Sequence, residues 1–162
     1  MKSEPDMKIG FVGIGTMGAP MVRCLVEAGL RPALFDVDHE AARRVADENG
    51  LDVMGSLPEI GRACDLVILM LPRSEIVRMV CLGSGDDAPG LVDGLKQGAL
   101  VVDMSSSDPM ETRKLAGELA KAGVTLMDAP VSGGLRKAIA GSLSIMLGSD
   151  DEAAAGRVTP VL

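Results

Sequence analysis

Gly13-Ile14-Gly15-Thr16-Met17-Gly18 is the stretch on which the fold turns. It fits G-x-G-x-x-G, which alone says little in a chain with 20 glycines. Its neighbours give it weight. Lys8 to Val12 reads as a strand ended by Gly13, and the positions Met17, Met21, Cys24, Leu25 and Ala28 form one helical stripe that Gly29 stops. In a strand–turn–helix, Gly13 permits the tight turn, Gly15 lets backbone approach a pyrophosphate, and Gly18 lets the helix pack close to the strand. Backbone N–H groups around Ile14 and Met17, with the helix N-terminus, can hold such an anion without lysine or arginine. A purely structural glycine turn is the competing reading.

Working outward, short apolar runs alternate with helix-period segments. Ala33 to Phe35 is a strand closed by Asp36, and Asp38 caps a helix running to about Glu48, ended by Asn49-Gly50. Ser56 and Glu59 have capping-box spacing, with Pro58 in the first turn. Leu66 to Leu71 is unbroken and apolar, as a strand covered on both faces should be. Ser74 to Leu82 reads as helix, Gly83 to Gly90 as loop, then a brief helix and the strand Ala99 to Asp103. Asp108-Pro109 opens another helix, with Glu111 placed to complete a capping box; it turns Leu115, Ala116, Leu119 and Ala122 inward and stops at Gly123. Val124 to Met127 is a further strand. A Ser-Gly-Gly loop, a small-residue helix or loop near Ala138, and a strand from Leu143 to Leu147 follow. Strands separated by helices imply a doubly wound α/β fold with a mostly parallel sheet.

Composition narrows the function. The 162 residues are 47% hydrophobic and 24% charged, which suits one compact domain with a real core. Phe11 and Phe35 are the only aromatics, which argues against base-stacking platforms. A net charge of −7 disfavours nucleic acid and anionic membranes as partners. One histidine, His39, cannot build a multi-histidine metal site, and Cys24, Cys64 and Cys81 are too scattered for a zinc site or a disulfide framework. No metal is therefore expected, and a reducing, cytoplasmic home fits best. The polar, acidic start from Met1 to Met7 lacks a signal-peptide core. The longest apolar run has six residues, where a membrane helix needs about 20.

Four further stretches bear on chemistry. Asp36 ends a strand 18 residues after Gly18, near the spacing of about 20 at which a carboxylate takes the adenosine ribose hydroxyls. It repels a 2′-phosphate, so NAD is expected over NADP; a residue merely opening the next helix is the alternative. Leu71-Pro72 closes an apolar strand at the carboxyl edge, where open α/β sheets bind ligands. Ser105-Ser106-Ser107 follows the next strand and either contacts ribose or nicotinamide or is an ordinary serine-rich turn. Ser132-Gly133-Gly134 offers one hydroxyl and several N–H groups, which suits a small carboxylate. Nucleophilic catalysis by Ser132 is not expected, because the single histidine lies far away in the chain.

Taken together, residues 9–21 (IGFVGIGTMGAPM), 69–72 (LMLP), 102–109 (VDMSSSDP), 128–134 (DAPVSGG) and 141–148 (GSLSIMLG) resemble the β-hydroxyacid dehydrogenase family. That family includes 3-hydroxyisobutyrate dehydrogenase, tartronate semialdehyde reductase and, more distantly, 6-phosphogluconate dehydrogenase. The resemblance covers nearly the whole chain in order. It departs at Arg23-Cys24-Leu25, where many members have Asn before the Leu.

The resemblance implies a Rossmann-type domain of an NAD-dependent oxidoreductase moving hydride between nicotinamide and a small 3-hydroxy acid or semialdehyde. Gly13, Ile14, Gly15, Thr16, Met17, Gly18, Asp36, Leu71, Pro72 and Ser106 would touch the dinucleotide, and Ser132, Gly133 and Gly134 the substrate carboxylate. It also implies that residues 1–162 are the cofactor domain, ending inside a helix that leads to an all-helical second domain beyond Leu162. The family's proton-transferring lysine, in a G-x-x-x-K-x-x-N-N pattern, would lie there, so no catalytic residue is assigned in this chain. Lys121 and Lys137 do not fit the pattern. These residues alone would then bind cofactor and turn over poorly or not at all. A non-catalytic NAD(P)-binding module that has lost the lysine is the rival, and an imine-reductase-like relative fits the carboxylate loop less well. Apolar surface bared by a missing domain could drive homo-oligomerisation.

Overall fold

The structure is a computed structural model, and it describes residues 7–85 and 87–162. The start at Met1 to Asp6, and Asp86 within the expected Gly83 to Gly90 loop, lie outside the described residues. Five parallel strands form the central sheet: β1 (Ile9–Val12), β2 (Ala33–Phe35), β3 (Leu66–Leu69), β4 (Leu100–Asp103) and β5 (Thr125–Asp128), in the order β2-β1-β3-β4-β5. Val53 adds a single parallel bridge to Leu34, with the Leu34 N–H donating to Asp52 O and the Met54 N–H to Leu34 O, each at 2.8 Å. Counting it as a one-residue strand outside β2 turns the order into the 3-2-1-4-5-6 of dinucleotide-binding folds. The expected Rossmann-type architecture is therefore the observed one.

Strict alternation in the strands feeds two cores. Ile9, Phe11, Leu66, Ile68, Leu100 and Val102 pack on one face, under α1 (Gly18–Glu27), α2 (His39–Asn49) and α7 (Glu152–Val158). Val12, Val67, Leu69 and Val101 pack on the other, under α3 (Leu57–Ala63), α4 (Ser74–Leu82) and α5 (Pro109–Ala120). Leu66 to Leu69 is wholly buried, as its unbroken apolar text demands. Each such side chain contributes about 1.5–3 kcal/mol relative to exposure.

Helix ends largely follow the expected caps, with two corrections. Asp38 Oδ1 accepts the Ala41 N–H at 3.0 Å, and Gly50 closes α2 in the left-handed region. Ser56 Oγ accepts the Glu59 N–H at 3.3 Å, but the Glu59 carboxylate takes the Gly55 N–H at 2.7 Å instead of closing the box on Ser56. Asp108 Oδ1 accepts the N–H groups of Met110 and Glu111. Its own N–H is taken by Ser74 Oγ at 2.8 Å, so Glu111 is left to pair with Lys114.

Strand Leu66–Leu71 stops two residues early, because the Leu71 N–H leaves the ladder for Ser105 Oγ. The brief helix after Gly90 is a single 3-10 turn, Leu91–Asp93. Expected strand Leu143–Leu147 is shorter, and it is antiparallel: β7 (Ser144–Ile145) pairs with β6 (Val131–Ser132), and α6 (Gly134–Ile139) lies between them. No helix among the described residues is long and apolar enough to cross a membrane, and all three cysteines are free.

Candidate functional site

The five strands end in one row. Phe35, Val12, Leu69, Asp103 and Asp128 are successive register partners, so every candidate loop leaves the sheet from the same edge. Four of the expected sites begin within a few residues of that row.

Beyond Val12, the three glycines of the first loop stand in three different surroundings. Gly13 has φ +100°, and a Cβ there would overlap the Met70 carbonyl oxygen. A Cβ on Gly18 would overlap the Gly13 carbonyl oxygen and lie 3.3 Å from the Phe11 ring, which is the close helix–strand approach. Gly15 is exposed, and a Cβ there would meet nothing within 4 Å; its side of the loop faces open space.

Asp36 is half-buried beside this loop. Its Oδ2 accepts the Ile14 N–H at 2.6 Å and its Oδ1 accepts the Asp38 N–H at 2.8 Å. This corrects one expectation: the Ile14 N–H holds Asp36 and is not free for an anion. The N–H groups of Gly15, Thr16, Met17 and Gly18 have no partner among the described residues. They head α1, which has neither a side-chain cap nor an acid in its first turn, whereas α2, α3, α4, α5 and α7 each carry a glutamate there. The start of α1 is thus left electropositive, as is that of the short α6, where those five helices neutralise theirs.

A cleft of about 510 Å³ joins these parts. Gly13, Gly15, Thr16, Met17, Gly18, Asp36, Leu71 and Pro72 line it, and among the described residues no lysine or arginine does. Ile14, buried beneath, and Ser106, exposed beyond β4, do not line it. Val37, 84% exposed, and Ile76 add apolar walls that the sequence reading missed. Val37 could have been found as an apolar residue directly after the candidate ribose carboxylate.

The serine run resolves into distinct roles. Asp103, 1% exposed, accepts the Ser105 N–H at 2.9 Å and the Ser107 hydroxyl at 2.6 Å. Ser105 Oγ accepts the Leu71 N–H at 2.9 Å. Ser106 alone is exposed and unbonded among the described residues. Asp103 was missed, and a lone Asp at a strand end carries no signal of what it holds.

Further along the edge, the Ser132 hydroxyl is exposed and without a partner among the described residues. Gly133 (φ +135°) and Gly134 (φ +66°) turn the chain sharply into α6. A Cβ on Gly133 would overlap the aliphatic stem of Lys137, so that side chain lies back over the loop. Among the described residues no His, Cys, Asp and Glu cluster is arranged to hold a metal.

Burial pushes the Cys64 thiol up to about 11, with the Asp65 charge adding to it, and pushes Cys81 up to about 12, with Asp103 adding. Neither is a ready nucleophile.

The family described as the NAD binding domain of 6-phosphogluconate dehydrogenase matches residues 8–162. The 2-(hydroxymethyl)glutarate dehydrogenase of Eubacterium barkeri is 38% identical over 159 residues, 98% of this chain and 51% of that protein. The 3-sulfolactaldehyde reductase of Escherichia coli K12 is 35% identical over 154 residues, 95% of this chain and 50% of that one. Among solved structures, the 3-hydroxyisobutyrate dehydrogenase of Mycobacterium tuberculosis with L-serine superposes with a TM-score of 0.83 at 35% identity. That superposition covers 96% of this chain and 50% of the other. The chain spans about half the length of the curated relatives it matches.

Proposed function

Because this chain belongs to the family of the NAD binding domain of 6-phosphogluconate dehydrogenase, we propose that its cleft holds NAD for a hydroxyacid dehydrogenase or semialdehyde reductase. One observation carries the reading: a cleft without lysine or arginine among the described residues brings the N–H groups at the start of α1, unbonded within those residues, together with the Asp36 carboxylate.

Gly15, Thr16, Met17 and Gly18 hold the pyrophosphate through backbone N–H groups, and the open side of Gly15 lets it approach. Asp36 keeps acceptor capacity for the adenosine ribose hydroxyls and repels a 2′-phosphate, which favours NAD over NADP. Val37, Leu71, Pro72 and Ile76 give apolar surface for the flat base. Ser106 offers its free hydroxyl on the nicotinamide side of the edge.

NAD would supply a hydride acceptor there, and NADH a hydride donor. This chain's residues bind, orient and exclude water. Ser132, Gly133 and Gly134 take the carboxylate of a small 3-hydroxy acid or semialdehyde acid and so aim its carbinol carbon. No lysine among these residues stands in the pattern that family resemblance assigns to proton transfer. Turnover is therefore proposed only where that group comes from outside them. The relatives named above are two dehydrogenases and a reductase, which favours an enzyme over a non-catalytic module. Three free cysteines are in keeping with a reducing, cytoplasmic setting.

Titrating the chain with NADH and NADPH tests the reading. The chain has no Trp or Tyr, so cofactor emission is read without protein background. Saturable NADH binding tighter than NADPH is expected. No NADH binding, or tighter NADPH, rejects it.

A further inference from the structure

Asp103 is the one acid fully buried among the described residues. A buried carboxylate is costly unless hydrogen-bonded, so its partners define what it is for. Its two oxygens divide between neighbours: Oδ1 accepts the Ser105 N–H at 2.9 Å, and Oδ2 accepts the Ser107 hydroxyl at 2.6 Å. The bonds skip Ser106. With the residues on either side drawn inward, Ser106 stands out from the turn, exposed and with its hydroxyl unbonded among the described residues.

The same network crosses to the neighbouring strand end. Ser105, whose backbone Asp103 fixes, presents Oγ to the Leu71 N–H at 2.9 Å, 34 residues away. This bond takes Leu71 off the β3 ladder and hands the chain to Pro72 on the cleft wall. On the other side, the Asp103 carbonyl accepts the Ala129 N–H at 2.7 Å, at the end of β5. Asp103 and Ser105 together thus link the ends of three adjacent strands, the carboxylate acting on β3 through Ser105 and the backbone carbonyl meeting β5 directly.

We propose that Asp103 is a positioning residue: it sets Ser106 and Leu71-Pro72 at a fixed separation, and so registers the nicotinamide half of the dinucleotide against the adenosine half. This rests on the proposed NAD reading of the cleft. Asp103 touches no ligand itself. The exposed Asp38 caps its helix through Ala41, whereas the residue that Asp103 fixes, Ser105, goes on to bond a second strand end.

Calorimetric titration of the chain with NADH and with ADP-ribose, which lacks nicotinamide, tests it. Asp103→Ala is expected to weaken NADH by about tenfold, the scale of one or two lost hydrogen bonds, and to leave ADP-ribose within about twofold. Asp103→Asn keeps an acceptor for the Ser105 N–H and can donate to Ser107 Oγ, so it should restore NADH to within about threefold. Ser107→Ala removes one strut and keeps the buried acid. It should give the same selective loss, about threefold, and serves if the alanine variant does not fold. Unchanged NADH affinity in both alanine variants, or an equal loss for ADP-ribose, overturns the positioning role. If the unaltered chain binds ADP-ribose but not NADH, the role falls while the adenosine site stands. If it binds neither, the reading of the cleft falls and takes this one with it.

Discussion

Asp36 Oδ2 accepts the Ile14 N–H at 2.6 Å, a bond from the end of one strand to the loop beyond its neighbour. The carboxylate is thereby held against the glycine loop, with its second oxygen on the Asp38 N–H. A hydrogen bond to a charged group contributes about 1.5–3 kcal/mol, so the acid also stabilises the loop it serves.

Asp36→Ser should therefore do two things at once. The ratio of NADH to NADPH affinity is expected to fall by about tenfold, because the charge that repels a 2′-phosphate is gone. The unfolding midpoint should fall with it. Paired titrations and a thermal melt check both, and an unchanged ratio removes Asp36 from cofactor choice.

Two glycine substitutions should separate folding from binding. Gly13→Ala forces a side chain into φ +100° against the Met70 carbonyl and is expected to cost several kcal/mol, about 2–4, or to abolish folding. Gly15→Ala meets no protein atom, so the melt should stay within about 0.5 kcal/mol while NADH binding weakens by about tenfold or more. Unaltered binding in Gly15→Ala would take the pyrophosphate away from this loop.

Among the described residues no lysine or arginine lines the cleft. Backbone-held anions in a chain of net charge −7 should bind with little salt dependence. NADH affinity is expected to change by less than about threefold between 50 and about 500 mM NaCl. A steep weakening measured by the same titration would point to basic side chains instead.

The buried thiols give a pH signature. Cys64 and Cys81 keep their protons in the folded chain up to about 11 and about 12, whereas the unfolded chain releases them near 9.0. Above that value the folded state binds more protons, so stability is complete below about pH 9 and declines as pH rises toward 11 and 12. Denaturant melts at rising pH should show the decline, and a Cys64→Ala, Cys81→Ala chain should flatten it. In the native state a maleimide should label Cys24 first, the one cysteine that is not buried.

Much of this was legible because it rests on local signals. Short apolar runs mark β1, β3 and β4 and feed both cores, and Gly13, Gly18 and Asp36 stand at spacings that a strand–turn–helix explains. What stayed hidden depends on distance between loops. Nothing in the text of Ser105-Ser106-Ser107 says which hydroxyl is free, because Leu71 and Asp103 decide it. The same holds for Ile14, whose N–H is claimed from 22 residues away. Val53 and the two-residue β6 are too short to carry any periodicity, and β7, expected within Leu143 to Leu147, gave no sign of its antiparallel partner.

The common row of strand ends has a metric consequence. Neighbouring strands lie about 4.8 Å apart, so the ends of β2 and β4, three steps from each other, stand about 14 Å apart. Backbone ladders fix that span, and loop sequence cannot stretch it. The edge is therefore a gauge of length as much as a set of contacts, and the proposed dinucleotide, with its two joined halves, is a ligand long enough to reach along it.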